Sequence, residues 1–433
     1  MRLNDNVPPR SCHAMLTFVV VGITDAPNPH FAPEVAELIG SAQVFSGGRR
    51  HHELVAHLLP PGAQWIDIVV PLQGVWECYR AVGNGTIVVF ASGDPLFYGF
   101  AVTLRREFPD AAMRVVPAPN SLQMLAHRLC LPYHDMRVVS LTGRPWHELD
   151  RALIERAPMI GILTDRDHTP AAIVGRMRDY GYTDYSVFVG ERLGNPELER
   201  VRPYADGMEV AMPNCVMAIR EQRGSDGATT APQCRRYGLP EGEFALLDGR
   251  EKMITKMPIR LLTLQALDLP RRRVLWDIGA CTGSVSIEAR LLFPHLRVEA
   301  FEVRPECEDI IGRNARRFGT PGINVHIGDF CTLCEDAATM SKVAAPDAVF
   351  IGGHGGQLAA IMSKVVNRLP AGGVVVMNSV TSAVVDSLTP HRAPSRQMWD
   401  EACRALGLRQ EPPMRIQLND NNPIEILKAV MAG

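Results

Sequence analysis

Residues 274–284 read Val274-Leu-Trp-Asp277-Ile-Gly279-Ala-Cys-Thr-Gly283-Ser. The apolar run predicts a buried strand, the glycines predict a tight turn, and the residues up to Leu292 predict a helix. Strand, turn and helix in this order are typical of the βα unit of a parallel α/β sheet. Glycines at such a turn let a ligand approach the backbone, and the helix N-terminus favours the ligand's polar or anionic groups.

Acidic residues stand at the ends of the next two predicted strands. Glu302 ends the strand Arg297–Glu302 and can accept hydrogen bonds from both hydroxyls of a ribose. Asp329 follows the strand Ile323–Ile327, where its carboxylate could bind an adenine amine. The carboxyl ends of parallel strands share one edge of a sheet, so the set predicts a site for an adenosine-containing ligand. NAD would favour Gly-x-Gly-x-x-Gly, and Cys281 breaks that pattern, so S-adenosylmethionine (SAM) fits better.

The same alternation of short apolar runs and helical patterns extends over most of the chain, which predicts the α/β class. In the C-terminal half we predict a helix at Thr255–Leu267, strands at Arg273–Asp277, Ala348–Ile351 and Gly373–Asn378, and an antiparallel hairpin of Met414–Leu418 with Ile424–Ala429 around the turn Asn419–Pro423. In the N-terminal half we predict strands at Leu16–Val21, Trp65–Val70, Thr86–Ala91, Arg137–Leu141, Met159–Thr164, Ser186–Gly190 and Cys215–Ile219, with helices at Pro33–Gly40, Ser121–Cys130 and Pro170–Tyr180.

The polar stretch Arg220–Pro232 has no apolar period and is the best candidate for a linker. We therefore expect a loose tail over 1–13, a first domain over 14–222, a linker over 223–236 and a second α/β domain over 237–433. No internal repeat relates the two halves, so two different folds are expected.

Composition excludes several classes of protein. The 433 residues carry 45 Lys and Arg against 47 Asp and Glu, which argues against a general nucleic-acid or membrane-surface binder. No apolar run reaches the roughly 18 residues of a membrane span, and we expect a cytoplasmic protein. Ten cysteines show no framework spacing. Cys331 and Cys334 form a single Cys-x-x-Cys without a second ligand pair, so we expect no metal site.

The C-terminal half resembles a known family on several separate motifs. It is similar to the C-terminal domain of the precorrin-6B C5,15-methyltransferases (decarboxylating) over roughly Tyr237 to Thr381. The motifs are Tyr237-Gly-Leu-Pro240, Ile254-Thr-Lys256 with Arg260, Trp276-Asp-Ile-Gly-Ala280, Phe350-Ile-Gly352-Gly353-His-Gly355-Gly356 and Val376-Met-Asn378-Ser-Val-Thr381. Cys281 departs from the family, which usually has glycine there, and its Cβ would face the methionine end of SAM.

The N-terminal half resembles the tetrapyrrole methylases, the partner domain in the same fused enzymes, over roughly Leu16 to Arg220. The motifs are Gly22 after the first strand, Ala91-Ser92-Gly93-Asp94-Pro95-Leu-Phe97-Tyr98-Gly99, Pro117-Ala-Pro-Asn120-Ser121 and Gly190-Glu191-Arg192-Leu193-Gly194. The family's first strand usually runs into Gly-x-Gly-Pro-Gly, whereas this chain has Gly22-Ile-Thr24-Asp25-Ala26-Pro27. Unless Asp25 is paired or points away, it should repel a polycarboxylate substrate and weaken this domain's activity.

Together the resemblances imply an N-terminal two-subdomain tetrapyrrole methylase fold followed by a C-terminal Rossmann-like SAM methyltransferase domain with a terminal antiparallel hairpin. They imply a bifunctional SAM-dependent methyltransferase of cobalamin biosynthesis. The N-terminal domain would methylate carbon 5 of precorrin-6B, and the C-terminal domain would remove carbon dioxide from the ring-C acetate and methylate carbon 15, giving precorrin-8X. They also imply a homo-oligomer, with a tetramer favoured. Methyl transfer mainly needs positioning and exclusion of water, so no Ser-His-Asp set is expected.

The resemblances also assign the candidate site residues. SAM would contact Ala280 beside Asp277, Gly279, Gly283, Glu302 and Asp329 in the C-terminal domain, and Gly93, Asp94, Asn120 and Ser121 in the N-terminal domain. Substrate would contact Thr255, Lys256, Arg260, Gly352 and Gly353, and the catalytic candidates are His354, Asn378 and Glu288.

Simpler roles stay open for many of these side chains. Asn120 and Ser121 could merely cap a helix, and Asp94 could merely stabilise its turn. Lys256 and Arg260, one helical turn apart, could form a solvated face. His354 could be a loop spacer, Asn378 a strand terminator and Glu288 a surface carboxylate. His51 and His52 are interpreted as solvated helix residues.

Three other functions stay open at this point. An RNA methyltransferase is one, although the sequence has no basic stripe. A SAM-binding protein with an inactive N-terminal domain is another, suggested by the altered loop at 22–26. An NAD-dependent oxidoreductase is the third.

Overall fold

A computed structural model describes residues 16–221, 237–250, 253–380, 395–418 and 423–433. The predicted tail, the predicted linker 223–236, Thr381 and most of the predicted hairpin turn lie outside these residues. The domain boundaries proposed at those segments therefore stay predictions.

The first sheet is wholly parallel and has the strand order β3-β2-β4-β1-β5. Its strands are β1 (Thr17–Ile23), β2 (Val44–Gly47), β3 (Gln64–Asp67), β4 (Thr86–Ser92) and β5 (Ala112–Val116). The accompanying helices are α1 (Pro33–Ser41), α2 (Arg49–Val55), α3 (Gln73–Ala81), α4 (Phe100–Glu107) and α5 (Ser121–Arg128). Central β1 and β4 are buried on both faces, which explains their continuous apolar sequences. The prediction did not include β2 and β5.

The second sheet has the order β6-β7-β10-β8-β9. Its strands are β6 (Arg137–Ser140), β7 (Met159–Leu163), β8 (Tyr185–Glu191), β9 (Arg200–Pro203) and β10 (Asn214–Arg220), with helices α6 (His147–Ile154) and α7 (Pro170–Asp179). The expectation of a mostly parallel sheet is wrong here, because β7 pairs with β10 and β8 with β9 in antiparallel fashion. The connection from β8 to β9 is too short for the crossover that a parallel pair needs.

The third sheet has the order β13-β12-β11-β14-β15-β18-β16, with β17 also paired to β18. Its strands are β11 (Val274–Ile278), β12 (Arg297–Glu302), β13 (Ile323–Ile327), β14 (Ala348–Ile351), β15 (Val374–Val380), β16 (Arg409–Gln410), β17 (Met414–Ile416) and β18 (Ile424–Val430). The strands from β11 to β15 are parallel, and β18 is antiparallel to β15 and to β17. The predicted antiparallel pairing of the C-terminal segments is thus present.

The third sheet is accompanied by helices α8 (Met257–Ala266), α9 (Ser284–Leu292), α10 (Glu306–Arg317), α11 (Phe330–Glu335), α12 (Ala337–Met340), α13 (Leu358–Val366) and α14 (Ser395–Ala405). Helix α8 begins two residues later than predicted, so Lys256 precedes it. Strand order reverses beside β11, where β12 lies on one side and β14 on the other. Ligands of open α/β sheets bind at such a switch point.

The chain divides into two compact units. The first consists of the residues up to Arg144 together with Pro158–Ala172 and Ser186–Ile219. The second consists of Pro145–Ala157, Ile173–Tyr185 and Arg220–Gly433. Each unit contains one of the cavities described below.

Candidate active sites

The turn from β11 into α9 has the backbone that the sequence predicts. Gly279 has φ +78° and Gly283 has φ +72°, a region that side chains rarely adopt. A Cβ at Gly279 would lie 2.7 Å from the backbone nitrogen of Gly353. Glycine is therefore required at 279, because the loop after β14 approaches the turn so closely.

Asp277 lies beneath this turn rather than in the lining of the cavity. Its Oδ2 accepts hydrogen bonds from Ser286 Oγ at 2.6 Å and from Ser286 N at 3.2 Å, which ties β11 to the first turn of α9. Its buried Oδ1 has no partner among the described residues. Burial raises the pKa of Asp277 to about 6. An unpaired buried acceptor at this turn fits a site whose remaining donor belongs to a bound group or a water molecule.

Glu302, at the end of β12, is surrounded by donors. Its carboxylate accepts from the backbone nitrogens of Cys281, Val303 and Arg304 at 2.9–3.1 Å. The Arg304 side chain adds a two-pronged contact, with Nε at 2.8 Å and Nη2 at 3.0 Å. Burial raises the pKa of Glu302, but the hydrogen bonds from Arg304 and the backbone outweigh it, and the net pKa lies below its usual value. Arg304 thus occupies acceptor positions that ribose hydroxyls would use.

A cavity of about 480 Å³ opens at the switch point. The predicted residues that it brings together are Gly279, Glu302, Asp329, Gly352, Gly353 and His354. Asp329 caps α11 by accepting from Thr332 N at 3.0 Å, and its other oxygen accepts from Gln357 Nε2 at 3.3 Å. The sequence analysis missed Met253, Val303, Arg304 and Gln357, which also line the cavity.

His354 lines this cavity with a defined hydrogen-bond pattern. Gly356 N donates to its Nδ1 at 3.1 Å, so the neutral ring carries its proton on Nε2, 3.4 Å from Ser395 Oγ. A backbone contact organises the loop further, since Gln357 N donates to the His354 carbonyl at 2.7 Å. The ring is thus oriented by its surroundings, which a mere spacer would not require.

Arg260 and Glu288 are corrections to the predicted site. Both side chains are completely buried, and Arg260 Nε donates to Glu288 Oε2 at 2.5 Å. Arg260 also donates to the carbonyls of Thr255 and Leu239, while Glu288 accepts from Leu239 N at 3.3 Å. All the charge of this pair is compensated inside the protein. Arg260 therefore has no uncompensated charge with which to anchor a substrate carboxylate, and Glu288 is a buried partner of Arg260 and not a surface carboxylate; neither lines the cavity.

The cavity at the switch point is called the second cavity below. Other predicted residues lie outside its described lining. Lys256 is not on one helical face with Arg260, because it precedes α8. Asn378 Oδ1 accepts from Thr263 Oγ1 at 3.1 Å, which links β15 to α8. The remaining members of this group are Thr255, Ala280 and Gly283.

The first unit contains a cavity of about 390 Å³ at the ends of β1 and β4, called the first cavity below. Gly93, Asn120 and Ser121 line it, as predicted. Asn120 also caps α5: its Oδ1 accepts from Gln123 N at 2.9 Å, and Gln123 Oε1 accepts from Asn120 N at 2.9 Å. Asp94 instead stabilises its own turn by accepting from Leu96 N at 2.9 Å and is not in the described lining.

Asp25 is paired, which removes the reason to expect repulsion of a polycarboxylate. Its side chain is 2% exposed, with Oδ1 2.6 Å from Arg50 Nη1 and Oδ2 2.5 Å from Arg192 Nε. Asn195 Nδ2 also donates to the Asp25 carbonyl at 3.2 Å. The altered loop is therefore an ordered part of the cavity wall with its charge balanced.

The interpretation of His51 and His52 as solvated residues is wrong. His51 lines the first cavity, and its Nε2 lies 2.9 Å from Ser92 Oγ. The His52 ring stacks on Trp65 at 4.1 Å between centroids. The one available signal was the pattern Gly48-x-x-His51, in which the His51 side chain accepts from the Gly48 nitrogen at the start of α2.

Within the described ranges no group of three or more His, Cys, Asp or Glu side chains is arranged to hold a metal ion. The described helices are also all too short or too polar to cross a membrane.

Two family models match the chain. Residues 15–204 match the tetrapyrrole (corrin/porphyrin) methylases, and residues 248–394 match the precorrin methyltransferase domain. A Sinorhizobium protein named precorrin-6Y C(5,15)-methyltransferase [decarboxylating] is 35% identical over 379 residues, which is 86% of this chain and 87% of that protein. The chain belongs to this precorrin methyltransferase family.

Two shorter relatives of the precorrin methyltransferase family come from Salmonella typhimurium. One, named cobalt-precorrin-6B C(15)-methyltransferase (decarboxylating), is 37% identical over 147 residues, covering 34% of this chain and 72% of that protein. The other, named cobalt-precorrin-7 C(5)-methyltransferase, is 32% identical over 187 residues, covering 43% of this chain and 89% of that protein. The chain thus resembles separate proteins that are named for each of the two methylations.

Proposed function

We propose that this chain is a bifunctional SAM-dependent methyltransferase of cobalamin biosynthesis. It methylates precorrin-6B at carbons 5 and 15 and decarboxylates the ring-C acetate, giving precorrin-8X. The observation that carries the proposal is the presence of two family models on one chain, each with its own cavity at the carboxyl ends of parallel strands. The name of the Sinorhizobium relative, which matches over 86% of the chain, supports the same pair of reactions.

We assign carbon-5 methylation to the N-terminal domain and decarboxylation with carbon-15 methylation to the C-terminal domain. The family models over 15–204 and 248–394 support this division, with boundaries at 14–222 and 237–433 and a linker between them. The Salmonella relatives are named for cobalt-precorrin-6B in the carbon-15 reaction and for cobalt-precorrin-7 in the carbon-5 reaction. We therefore place decarboxylation and carbon-15 methylation first.

The residues of the second cavity fit SAM. Glycine is obligatory at 279, the Asp277 Oδ1 acceptor is unpaired, and the carboxylates of Glu302 and Asp329 end neighbouring strands. When bound, SAM supplies an electrophilic methyl group on its sulfonium. Glu302 would hold the ribose once Arg304 turns aside, and Asp329 would hold the adenine.

In the first cavity Gly93, Asn120 and Ser121 would hold SAM. Gly93 has φ +61°, and a Cβ there would lie 2.9 Å from Asn120 Cα, so the two loops pack backbone to backbone. Asn120 serves both as helix cap and as cavity wall, which leaves its side-chain amide nitrogen toward a ligand. These residues position the methyl donor and exclude water.

His354 is the residue of the second cavity that can manage a proton. Its Nδ1 is engaged by Gly356 N, so a proton would be donated or received at Nε2, with Ser395 Oγ adjacent. Gly352 and Gly353 keep the wall beside it free of side chains and admit a flat macrocycle. The macrocycle itself accepts the electrons that are released when carbon dioxide leaves.

The deciding experiment is incubation of the full chain with precorrin-6B and SAM, followed by mass spectrometry. We expect two methyl groups gained and one carbon dioxide lost. Gly93→Ala should abolish only carbon-5 methylation. Gly279→Ala should abolish decarboxylation and carbon-15 methylation, and with them the carbon-5 methylation that we place afterwards. Gly74→Ala and Gly242→Ala are matched controls, because a Cβ at either position meets nothing within 4 Å. Unchanged substrate mass with the unaltered chain would contradict the proposal.

Cytoplasmic location and a homotetramer complete the proposal. Both rest on the sequence and the resemblance, and sedimentation analysis of the purified chain tests the oligomeric state.

A further inference from the structure

A cluster of three charged side chains lies at one wall of the first cavity, where Asp25 and Arg50 line the cavity and Arg192 lies behind Asp25. Asp25 accepts from Arg50 at one carboxylate oxygen and from Arg192 at the other. One buried carboxylate thus faces two guanidinium groups, which remain protonated in proteins. The three side chains together have a net charge of one positive unit. Asp25 fixes the Arg50 guanidinium in the wall and does not cancel the whole charge.

Ser92 lines the cavity beside Arg50, and its hydroxyl oxygen has two neighbours. Its Oγ accepts from Arg50 Nη2 at 3.0 Å and lies 2.9 Å from His51 Nε2. Because Gly48 N donates to His51 Nδ1 at 3.2 Å, the neutral ring carries its proton on Nε2 and donates it to Ser92. Burial and the neighbouring Arg50 lower the pKa of His51 to about 4, which keeps the ring neutral at physiological pH.

Both lone pairs of the Ser92 hydroxyl are therefore in use, and its own proton is left to donate. Arg50 has five N–H donors, and its contacts with Asp25 and Ser92 account for two of them. Both residues line the cavity. Both oxygens of the acceptor Asp25 are already engaged by arginines, so this wall offers the remaining donors of Arg50 and the Ser92 hydroxyl, which suit a carboxylate.

We propose that Arg50 and Ser92 form a carboxylate-binding subsite in the first cavity, held in position by Asp25 and His51. The subsite rests on the proposed function, which brings two kinds of carboxylate to this cavity. One is an acetate or propionate arm of the macrocycle, and the other is the methionine carboxylate of SAM. A planar carboxylate can accept from the guanidinium with one oxygen and from the hydroxyl with the other.

The test uses Arg50→Gln and Ser92→Ala in the full chain. Arg49→Gln is the matched control, because Arg49 lies on the same helix with its side chain 93% exposed and pairs only with Glu53 among the described residues. Binding of the macrocycle and of S-adenosylhomocysteine is measured by titration calorimetry, and KM is measured for carbon-5 methylation. The second unit's own S-adenosylhomocysteine site serves as internal reference.

We expect Arg50→Gln to weaken one ligand about 10- to 100-fold, the loss of a charge-assisted hydrogen bond. Ser92→Ala should weaken the same ligand about 5-fold, the loss of a neutral hydrogen bond, and Arg49→Gln should change neither. Weaker macrocycle binding alone identifies an arm of the substrate, and weaker S-adenosylhomocysteine binding alone identifies the cofactor carboxylate. If Arg50→Gln lowers stability, Ser92→Ala still tests the subsite, because it removes only a small exposed hydroxyl.

The proposal is overturned if both variants bind both ligands as the Arg49→Gln control does. A chain that binds both ligands but transfers no methyl group contradicts the proposed function and leaves the subsite standing. A chain that methylates carbon 5 with unchanged KM in both variants supports the function and refutes the subsite.

Discussion

Replacement of Glu288 separates a structural role from the catalytic role that the sequence suggested. Arg260 and Glu288 are both 0% exposed, with a 2.5 Å contact between Nε and Oε2. Removing one partner of a buried ion pair leaves the other charge without compensation, which costs about 3–5 kcal/mol. The carbonyls of Thr255 and Leu239 still accept from Arg260, so we expect the lower end, about 3 kcal/mol, for Glu288→Ala.

A series of variants shows how this free energy arises. Glu288→Gln keeps the shape and one acceptor but loses the charge, and should cost about 1–2 kcal/mol less than Glu288→Ala. The double variant Arg260→Met/Glu288→Leu should cost at least about 1 kcal/mol less than the sum of its single variants, because no isolated charge remains. Asp309→Ala is the control, since its pair with Arg313 is exposed and should contribute less than about 1 kcal/mol.

Amide hydrogen exchange measured by mass spectrometry over α8 and α9 gives the local free energies of opening, and urea unfolding gives the midpoint. Local measurement is needed because the chain has two units, which need not unfold together. The reasoning is refuted if Glu288→Gln exchanges like the unaltered protein while carbon-15 methylation is lost. That outcome would make Glu288 a catalytic residue.

Three further predictions concern the loops around the cavities. Asp25→Gly should lower the free energy of unfolding by about 2–3 kcal/mol and raise KM for carbon-5 methylation. The reason is that the positive charges of Arg50 and Arg192 then face each other without the carboxylate between them, and a more active variant would contradict this. The pKa of His51, about 4 in the folded protein against 6.5 in the unfolded chain, predicts stability that is present above pH 6.5 and lost as pH falls through 4. The urea midpoint of the unaltered protein should therefore fall between pH 6.5 and pH 4 with the slope that corresponds to one additional proton bound by the unfolded chain. In His51→Gln this contribution to the slope should be absent. Cys281→Gly removes a side chain from a residue with φ +50° and so relieves backbone strain; it should change the affinity of the second unit for S-adenosylhomocysteine by no more than about threefold. A tenfold gain in affinity, measured by calorimetry, would show that the thiol obstructs the cofactor.

Central strands could be predicted from the sequence because they are buried on both faces. The observed β12 and β14 are such strands and have the predicted bounds. The strands that were missed carry weaker signals. Both β5 and β9 are edge strands; Arg114 interrupts the apolar residues of β5, and β9 consists of two arginines, one valine and one proline. Two more missed strands are short: β16 has two residues, and β2 has four, with its buried Ser46 contacting the Ile66 carbonyl and the Tyr79 hydroxyl. Short or polar strands lack the period on which such prediction depends.

Site residues could be predicted from the sequence where the backbone geometry requires a glycine. They could not be predicted where two side chains that are distant in sequence contact each other. Gly279 and Gly93 are required by close approach of another loop, and a glycine in a turn after a strand is visible in the sequence. The Arg260–Glu288 pair joins residues 28 positions apart, and the Asp25–Arg192 pair joins residues 167 apart. Charge and hydropathy patterns contain no information about such partners, so Arg260 was expected to be accessible.

The altered loop at 22–26 shows how a departure from a family motif is compensated. Glycine is kept at Gly22, where a Cβ would lie 2.0 Å from the Gly93 carbonyl oxygen. Where Thr24 introduces a side chain, the space is provided by Gly194, since a Cβ there would lie 2.8 Å from Thr24 Cβ. Where Asp25 introduces a charge, arginines from two other segments balance it. The new side chains at positions 24 and 25 are thus both accommodated by other residues of the unit, which is the pattern expected of a working cavity and not of a decayed one.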